Sequence, residues 1–467
     1  MERGGNAIVQ MAVQVVMARL LAPADFGALA IMLVFVNVGN VFVQSGLNTA
    51  LIQADEVDSG SYSTVFWMSL AVSLALYALV FAAAPWVATS YGIPQLAWPL
   101  RALSLVLVIN AYNAVQVAKV TRDLEMRKTF VATIASVAVS GALGAGSALA
   151  GAGLWALVVQ QLSYQAANCV TLAFQVDWRP TRTFRAEEAR RLFGFGWKLL
   201  ASGLLDTGYR SLSDLIVGAQ FSVDALGVMS QGKKYPQAIG SMLDGAIQPV
   251  MLSAVSHVND DAERARAVTR RALKSSCYLV MPAMALFACC APSLVPMLLG
   301  VRWAAAVPYM QVFCITSAFL PINTTNLQSL NAMGRSDLFL RLEVVKKAYG
   351  VANLLFCAFV LRDVWLLCCS YLLTSVVSQV VNAWPNRRVL GYGYADQLRD
   401  IAPGLLLSVA ASAMALLAGR LPLPAPATIA LQSATFAATY IGLSALLRVE
   451  AYGYLRRTAL EMLGKRS

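Results

Sequence analysis

WKLLASGLLDTGYRSLSDLIVG, residues 197–218, is an apolar stretch long enough to cross a bilayer as one helix, yet it contains three charged side chains. Asp206, Arg210 and Asp214 are spaced four residues apart and therefore share one helical face. A charge at membrane depth costs roughly 2.5–3.5 kcal/mol, so such residues usually face a bundle interior or a water-filled path. Two interpretations are open: the three charges tie this helix to a neighbour, or they line a polar cavity for a charged substrate or a coupling ion.

The composition places this stretch in a multi-pass membrane protein. Of 467 residues, 58% are hydrophobic and 13% are charged. Counting apolar segments of about twenty residues predicts an all-α polytopic protein with about fourteen transmembrane helices. The segments lie near residues 6–21, 27–51, 64–88, 98–120, 130–149, 154–174, 197–218, 226–252, 273–298, 304–330, 338–361, 364–383, 401–419 and 427–447.

The loops between these segments differ in charge. Basic residues are concentrated in alternate loops, at 119–128, 179–191, 264–274, 335–341 and 387–399, and in the tail 448–466. By the positive-inside rule these loops are cytoplasmic, which predicts that both termini are cytoplasmic and that the protein lies in a bacterial inner membrane. The net charge of +12 then follows from topology and does not require a nucleic-acid partner.

Several kinds of chemistry have no sequence signature here. The chain has one histidine, His257, and its eight cysteines all lie in apolar segments without a CxxC pair. There is no Walker loop, dinucleotide fingerprint, HExxH or GxSxG motif. The predicted exterior loops are short, which counts against a membrane glycosyltransferase or polymerase. We therefore expect a secondary-type transporter rather than an enzyme, with no cofactor and no metal.

The chain contains a weak internal repeat. LAPADFG at residues 21–27 corresponds to FSVDALG at 221–227, Gln116 corresponds to Gln328, and Trp155 corresponds to Trp365. These matches predict two pseudo-symmetric six-helix lobes. The predicted domains are an N-terminal lobe at 1–176, a cytoplasmic inter-lobe linker at 177–197, a C-terminal lobe at 198–385, and two additional helices with a basic tail at 386–467.

The eighth segment carries a second polar cluster. Lys233 and Lys234 precede Pro236, which is expected to break the helix, and Asp244 follows two to three turns later. A bend at the proline would let both ammonium groups meet one anionic group. Alternatively, the lysines lie close enough to the exterior end to snorkel into the interface.

The first lobe offers sparser polar groups. Arg19 lies near the outer end of the first segment, and Asn37, Asn40, Gln44 and Asn48 share one face of the second. These amides either line the cavity or bond to neighbouring helices. Three carboxyl groups, Asp206, Asp214 and Asp244, are candidate proton or sodium sites, although Arg210 would favour the ionised form of the two nearest to it.

The first segment is short. About sixteen residues span roughly 24 Å, less than the roughly 30 Å of a hydrocarbon core. We expect either that Met1 is not the natural start or that the first helix is incomplete.

Strings along most of the chain resemble one family. They are ARLLAPADFG (18–27), GLNTALIQ (46–53), TRDLEMR (121–127), GLWALVVQQL (153–162), WRP (178–180), LLGVRWAAAVP (298–308) and GRSDLFLRL (334–342). In order and spacing these resemble the polysaccharide transporter family, the Wzx-type lipopolysaccharide and exopolysaccharide flippases of the MOP superfamily.

The resemblance implies a MOP/MATE-like fold of two six-helix lobes plus two C-terminal helices. It also implies flipping of undecaprenyl-diphosphate-linked oligosaccharide from the cytoplasmic to the periplasmic leaflet by alternating access. The carboxyl groups named above would allow this transport to be ion-coupled. Arg210 and Asp214 match an Arg and an Asp in the family's seventh helix, whereas the eighth segment departs from the family's aromatic-rich pattern. The implied partners are the polyprenyl-diphosphate-linked oligosaccharide, membrane lipids, and a polymerase and co-polymerase. A MATE-like exporter and a lipid II flippase are the alternatives.

Overall fold

The computed structural model describes residues 2–45, 48, 51–52, 57–256, 261–333 and 335–462. Within these ranges every regular element is a helix. His257 lies outside the described residues, and so does the side chain of Asp244.

The helices of the first half of the chain are α1 (Glu2–Leu20), α2 (Pro23–Asn40), α3 (Ser59–Ser90), α4 (Ala97–Leu103), α5 (Leu105–Arg122), α6 (Met126–Leu149), α7 (Leu154–Gln175) and α8 (Ala186–Gln220). A π-helical turn, Val41–Ser45, extends α2, and a 3₁₀ turn, Pro94–Leu96, precedes α4.

The second half contains α9 (Val223–Ser256), α10 (Ala262–Leu299), α11 (Ala306–Ala318), α12 (Leu320–Ala332), α13 (Ser336–Phe356), α14 (Val364–Val389), α15 (Tyr394–Ala418), α16 (Ala425–Leu446) and α17 (Glu450–Met462). A 3₁₀ turn, Val301–Trp303, follows α10, and a π turn, Cys357–Leu361, extends α13.

Each predicted apolar segment coincides with a helix or with a helix broken once. The fourth breaks at Ser104, between α4 and α5, and the tenth breaks at Phe319, after which Pro321 occupies the first turn of α12. Proline is favoured there because the N–H groups of a first turn have no partner in the helix. The prediction of an all-helical fold is therefore confirmed.

Ten helical stretches of the described chain are long and apolar enough to cross a membrane, which makes this a multi-pass membrane protein. The helices that fall short of this criterion are informative. Helices α8 and α9 carry the charges discussed above, α7 is rich in amides, and the apolar part of α1, Val9–Leu20, is short. The exact number of spans and the two-lobe layout remain predictions.

The chain packs as two compact units, Met1–Val228 and Met229–Ser467. The first unit contains α1 to α8 and the start of α9. Helix α8 packs there against α2, its π turn and α3. The two six-helix lobes were predicted from sequence correspondences between the two halves. The division by packing does not test them, so the lobes stay a prediction.

The segment between α7 and α8 is anchored to the first unit. Trp178 is buried and lies 6.0–6.3 Å from the rings of Tyr62, Phe66 and Tyr112, centroid to centroid. The Trp67 indole N–H donates to the Thr181 carbonyl at 2.8 Å. Stacking of aromatic rings of this kind adds to the apolar area that they bury. The part of the predicted linker that precedes α8 is therefore packed against this unit.

An ion pair closes the same region. The Arg185 guanidinium lies 2.8 Å from the carboxylate of Asp58, the residue before α3. The backbone N–H and the hydroxyl of Ser61 donate to that carboxylate, and together with Arg185 they lower the pKa of Asp58 to about 2. Asp58 thus caps α3 as an anion and holds the entry to α8 against it.

Helix α9 is continuous across Pro236, so the predicted break at this residue is wrong. A proline removes one hydrogen bond of a helix, and buried protein surroundings tolerate that loss. Pro236 itself is buried. Lys233 and Lys234 therefore lie on one continuous helix with Pro236.

The two repeat-related turns touch each other inside the first unit. A Cβ on Gly27 would lie 1.9 Å from the carbonyl oxygen of Val223, and a Cβ on Gly227 would lie 1.9 Å from the carbonyl oxygen of Pro23. The contact is reciprocal, and only glycine allows two helix backbones to approach so closely. LAPADFG and FSVDALG, matched by sequence, are thus neighbours in space.

Candidate functional site

The charged face of α8 forms as its spacing predicts. Arg210 Nε donates to Asp206 Oδ2 at 2.9 Å, one helical turn away. The Arg210 side chain is 75% exposed and that of Asp206 is 45% exposed, while Asp214 is half-buried one turn further on. Because the pair lies within one helix and most of the guanidinium remains accessible, Arg210 can contact an anion without first leaving a buried site.

The remainder of α8 is held by the first unit. Ser211, Ser213 and Val217 are buried. The Tyr91 hydroxyl donates to the Leu215 carbonyl at 3.2 Å, and Gly218 lies close to the Ile31 side chain. Within residues 197–218, the buried contacts of α8 are thus concentrated in its last turns, C-terminal to Arg210.

The two lysines lie on a well-packed part of α9 in the second unit. Gly232 meets α11 closely, since a Cβ there would lie 2.8 Å from Tyr309 Cβ. Gln231 and Tyr235 are buried, whereas Lys234 is exposed and Lys233 is half-buried. The packing therefore leaves the Lys234 side chain accessible to a small probe. Asp244 follows on the same helix, but its side chain lies outside the described residues.

The amides of α2 differ in their environments. Asn40 accepts a hydrogen bond from Asn110 of α5 at 2.8 Å, so it joins two helices. Asn37 is exposed, and Gln44 is half-buried in the π turn. The structure thus favours helix bonding for Asn40 and leaves Asn37 and Gln44 as candidates for substrate contact. Arg19 is exposed in the last turn of α1.

A second charged cluster was missed from the sequence. Arg270 of α10 forms a bidentate ion pair with Asp400 of α15, with N–O distances of 2.6 and 2.7 Å. Lys274 lies 3.3 Å from the same carboxylate. Tyr392 donates its hydroxyl to Asp400 at 2.9 Å, and Lys274 also binds Glu450 of α17 at 2.7 Å. The Asp400 side chain is only 5% exposed. This cluster joins three helices at one end of the second unit.

A buried amide network lies beside this cluster. Asn326 of α12 accepts hydrogen bonds from Asn386 at 2.6 Å and from Gln397 at 2.8 Å, and it donates to Gln397 at 2.8 Å. Local spacing contains no signal for either cluster, because apart from Tyr392 and Asp400 the partners are 60 to 176 residues apart along the chain.

Metal binding finds no support in the described ranges, where no three His, Cys, Asp or Glu side chains group in a way that could hold an ion. The eight cysteines are free, and six of them are buried. They behave as small apolar core residues, as the sequence predicts.

Residues 16–308, more than half of the chain, match the model of the family described as polysaccharide biosynthesis protein. The chain belongs to this family. The resemblance drawn from the sequence strings is thereby confirmed.

Two relatives carry informative names. The succinoglycan biosynthesis transport protein ExoT of Rhizobium meliloti (strain 1021) is 23% identical over 321 residues, 68% of this chain and 65% of ExoT. The lipopolysaccharide biosynthesis protein WzxC of Escherichia coli (strain K12) is 23% identical over 349 residues, 73% of this chain and 69% of WzxC. The chain thus spans slightly less than two thirds of the length of ExoT.

Solved structures show the same fold at low identity. The inward closed lipid II flippase MurJ superposes with a TM-score of 0.76 at 10% identity, over 96% of this chain and 98% of MurJ. An inward-facing MATE multidrug transporter of the MOP superfamily gives a TM-score of 0.66 at 13% identity, over 82% of this chain and 95% of that one. The proteins that this family member resembles are transporters and flippases, not enzymes.

Proposed function

We propose that this protein flips a polyprenyl-diphosphate-linked oligosaccharide, a repeat unit of O-antigen, capsule or exopolysaccharide, from the cytoplasmic to the periplasmic leaflet by alternating access. The single observation that carries this proposal is Arg210, an accessible cation within the largely apolar stretch 197–218 of α8, in a chain of the polysaccharide biosynthesis family. The names of ExoT and WzxC support a polysaccharide precursor as the cargo.

The chemistry of the substrate explains why cations are required. A diphosphate carries negative charge, and moving it bare through hydrocarbon is prohibitive, so the protein must substitute for its water. Arg210 offers a planar fork suited to phosphate oxygens, and Lys233 and Lys234 add point charges. Arg19 is a further cation, and Asn37 and Gln44 supply groups that bind hydroxyls. The polyprenyl tail can remain in lipid while the head group crosses.

Ion coupling is part of the proposal. Asp206, Asp214 and Asp244 are the candidate carboxyl groups, and the pair between Asp206 and Arg210 offers one way in which substrate binding and ion binding are coupled. A phosphate that takes over Arg210 would release Asp206 to bind a proton or sodium. We further propose an inner-membrane location, cytoplasmic termini, about fourteen spans in two six-helix lobes plus two helices, and action beside a polymerase and co-polymerase.

The experiment is complementation of a polysaccharide-producing strain that lacks its own flippase. Wild type, Arg210→Ala and Arg210→Lys are compared at matched membrane levels by surface polysaccharide. A second strain, depleted of its lipid II flippase, tests the alternative cargo suggested by the MurJ fold.

Wild type is expected to restore surface polysaccharide, Arg210→Ala to lose it, and Arg210→Lys to recover part of it, because lysine keeps the charge but not the fork. Equal activity of all three proteins would remove Arg210 from the site. Rescue of only the lipid II strain would replace the proposed cargo by lipid II.

A further inference from the structure

A second polar site lies in the first unit, among α1, α6 and α7. It is a partly open cavity of about 230 Å³. Its lining residues are Gln10, Val13, Gln14, Val137, Ser140, Gln160, Gln161, Tyr164 and Gln165. Apart from the two valines, all of these side chains are uncharged amides or hydroxyls, and they lie well inside the helices rather than at their ends.

Two glycines of α6 allow the three helices to meet around this cavity. A Cβ on Gly144 would lie 2.9 Å from Gln160 Cβ of α7, and a Cβ on Gly141 would lie 2.8 Å from Val13 Cγ2 of α1. The small-residue stretch of α6 therefore packs against both neighbours at once and brings their glutamines to one place.

Gln160 indicates that the cavity is more than a packing defect. Its side chain is only 6% exposed, and Oε1 has no hydrogen-bond partner among the residues that the structure describes. Buried amide oxygens are nearly always bonded to protein, water or ligand, and inside a membrane an unmet oxygen is especially unfavourable. The Gln160 amide oxygen, beside Gln161 and Gln165, can therefore accept a hydrogen bond from a ligand.

We propose that this cavity, hereafter the glutamine pocket, binds an uncharged sugar ring of the lipid-linked oligosaccharide; this inference rests on the proposed function. An amide presents a donor and an acceptor side by side, which matches two neighbouring hydroxyl groups of a sugar. Tyr164 adds a flat apolar ring and a hydroxyl group, and Ser140 adds a second hydroxyl group. The volume equals that of roughly eight water molecules at about 30 Å³ each, enough for one ring rather than a chain of sugars.

The lining also excludes other parts of the substrate. A diphosphate would find no cation among these residues, and a polyprenyl tail would strip water from several amides without replacing their hydrogen bonds. Different parts of the substrate therefore bind to different groups. The amides of the glutamine pocket bind a sugar, and the arginine and lysines of α8 and α9 bind the diphosphate.

The first test uses the complementation strain with Gln160→Leu and Gln165→Leu, which keep similar size and remove the amide. Gln175→Leu is the matched control, because Gln175 lies at the end of α7 outside the pocket and donates to the Thr171 carbonyl at 3.3 Å. Membrane levels are measured for each variant. Gln165 is half-buried, so its variant is expected to fold even if that of Gln160 does not.

The second test is direct. A photoreactive benzoyl-phenylalanine replaces Tyr164, and in a control it replaces Phe174, which is 84% exposed on the same helix. Cells are labelled with radioactive sugar, illuminated, and the protein is isolated. We expect a sugar-labelled adduct from position 164 and none from position 174.

The two tests separate the two proposals. Support consists of wild-type polysaccharide with Gln175→Leu, at least a tenfold loss with Gln165→Leu at equal protein level, and the labelled adduct at position 164. If wild type complements while Gln165→Leu is fully active and position 164 gives no sugar adduct, the pocket is overturned and the flippase stands. If wild type restores neither polysaccharide nor lipid II flipping, the proposed function fails and the sugar pocket falls with it.

Discussion

The glycine pair at the crossing of α2 and α9 gives a prediction whose size follows from the structure. The perturbation is Gly27→Ala. The new Cβ would lie 1.9 Å from the Val223 carbonyl oxygen, where ordinary contact begins at 3.4 Å, so the helices must separate by the difference of 1.5 Å. The obstacle is backbone, which cannot rotate away as a side chain would.

Overpacking of this kind costs about 1–3 kcal/mol, and the close backbone contact favours the upper part of that range. Alanine returns up to about 1 kcal/mol through its better helix propensity. The pair belongs to the compact unit Met1–Val228, for which 1 kcal/mol corresponds to a shift of about 2–4 °C in Tm. We therefore expect Gly27→Ala to lower Tm by roughly 3–8 °C.

The assay is thermal unfolding of the purified protein in detergent, followed by size-exclusion chromatography of the heated sample. The control is Gly146→Ala in α6, where a Cβ would meet no heavy atom within 4 Å. This control keeps Tm or raises it slightly, because alanine only improves the helix. Gly227→Ala, the other half of the reciprocal contact, should resemble Gly27→Ala. If Gly27→Ala and Gly146→Ala unfold at the same temperature, the close crossing does not exist in the protein.

Three further predictions use the same assay. Trp178→Ala removes the ring at the centre of the aromatic cluster and should cost about 3–5 kcal/mol, whereas Trp86→Ala, at a ring that is 71% exposed, should change Tm little; equal effects would contradict the packing of the segment before α8. Arg270→Ala leaves the buried Asp400 with one cation fewer and should lower the free energy of unfolding by about 1–3 kcal/mol. This is less than the loss expected for a lone buried ion pair, because Lys274 remains 3.3 Å from Asp400. An unchanged Tm would refute the cluster. The pKa of Glu450 is lowered by its hydrogen bond to Lys274, so the stabilisation from this pair is present at neutral pH and is lost as pH falls through a value below 4.5. Glu450→Gln should therefore flatten the change in Tm between about pH 6 and about pH 3. A variant whose Tm changes with pH in parallel with wild type would exclude this pair.

Local patterns predicted the helical elements because each depends on neighbours in sequence. The four-residue spacing of Asp206 and Arg210 led directly to their contact at 2.9 Å. Apolar length located the membrane helices to within a few residues in most cases, since bilayer thickness sets that length. The starts of α8 and α10 differed most, at Ala186 instead of residue 197 and at Ala262 instead of residue 273, because the first turns of both helices are polar and leave no hydrophobic signal.

Contacts between distant residues were not predictable in the same way. Asp400 gives no local sign that it binds Arg270, 130 residues earlier. The glutamines of α1 and α7 were overlooked because the sequence does not show that these two helices meet, and only the packing at Gly141 and Gly144 brings the glutamines together. Pro236 was misread because the tolerance of a helix for proline depends on what surrounds it.

The most direct measurement is translocation by the purified protein in sealed vesicles. A polyprenyl-diphosphate-linked oligosaccharide is incorporated, and its exposure on the outer leaflet is followed with a lectin that cannot cross the membrane. The account predicts that wild-type vesicles move the sugar between leaflets far faster than protein-free vesicles, and that Arg210→Ala vesicles do not. Wild-type vesicles indistinguishable from protein-free ones, with the protein folded and inserted, would contradict it.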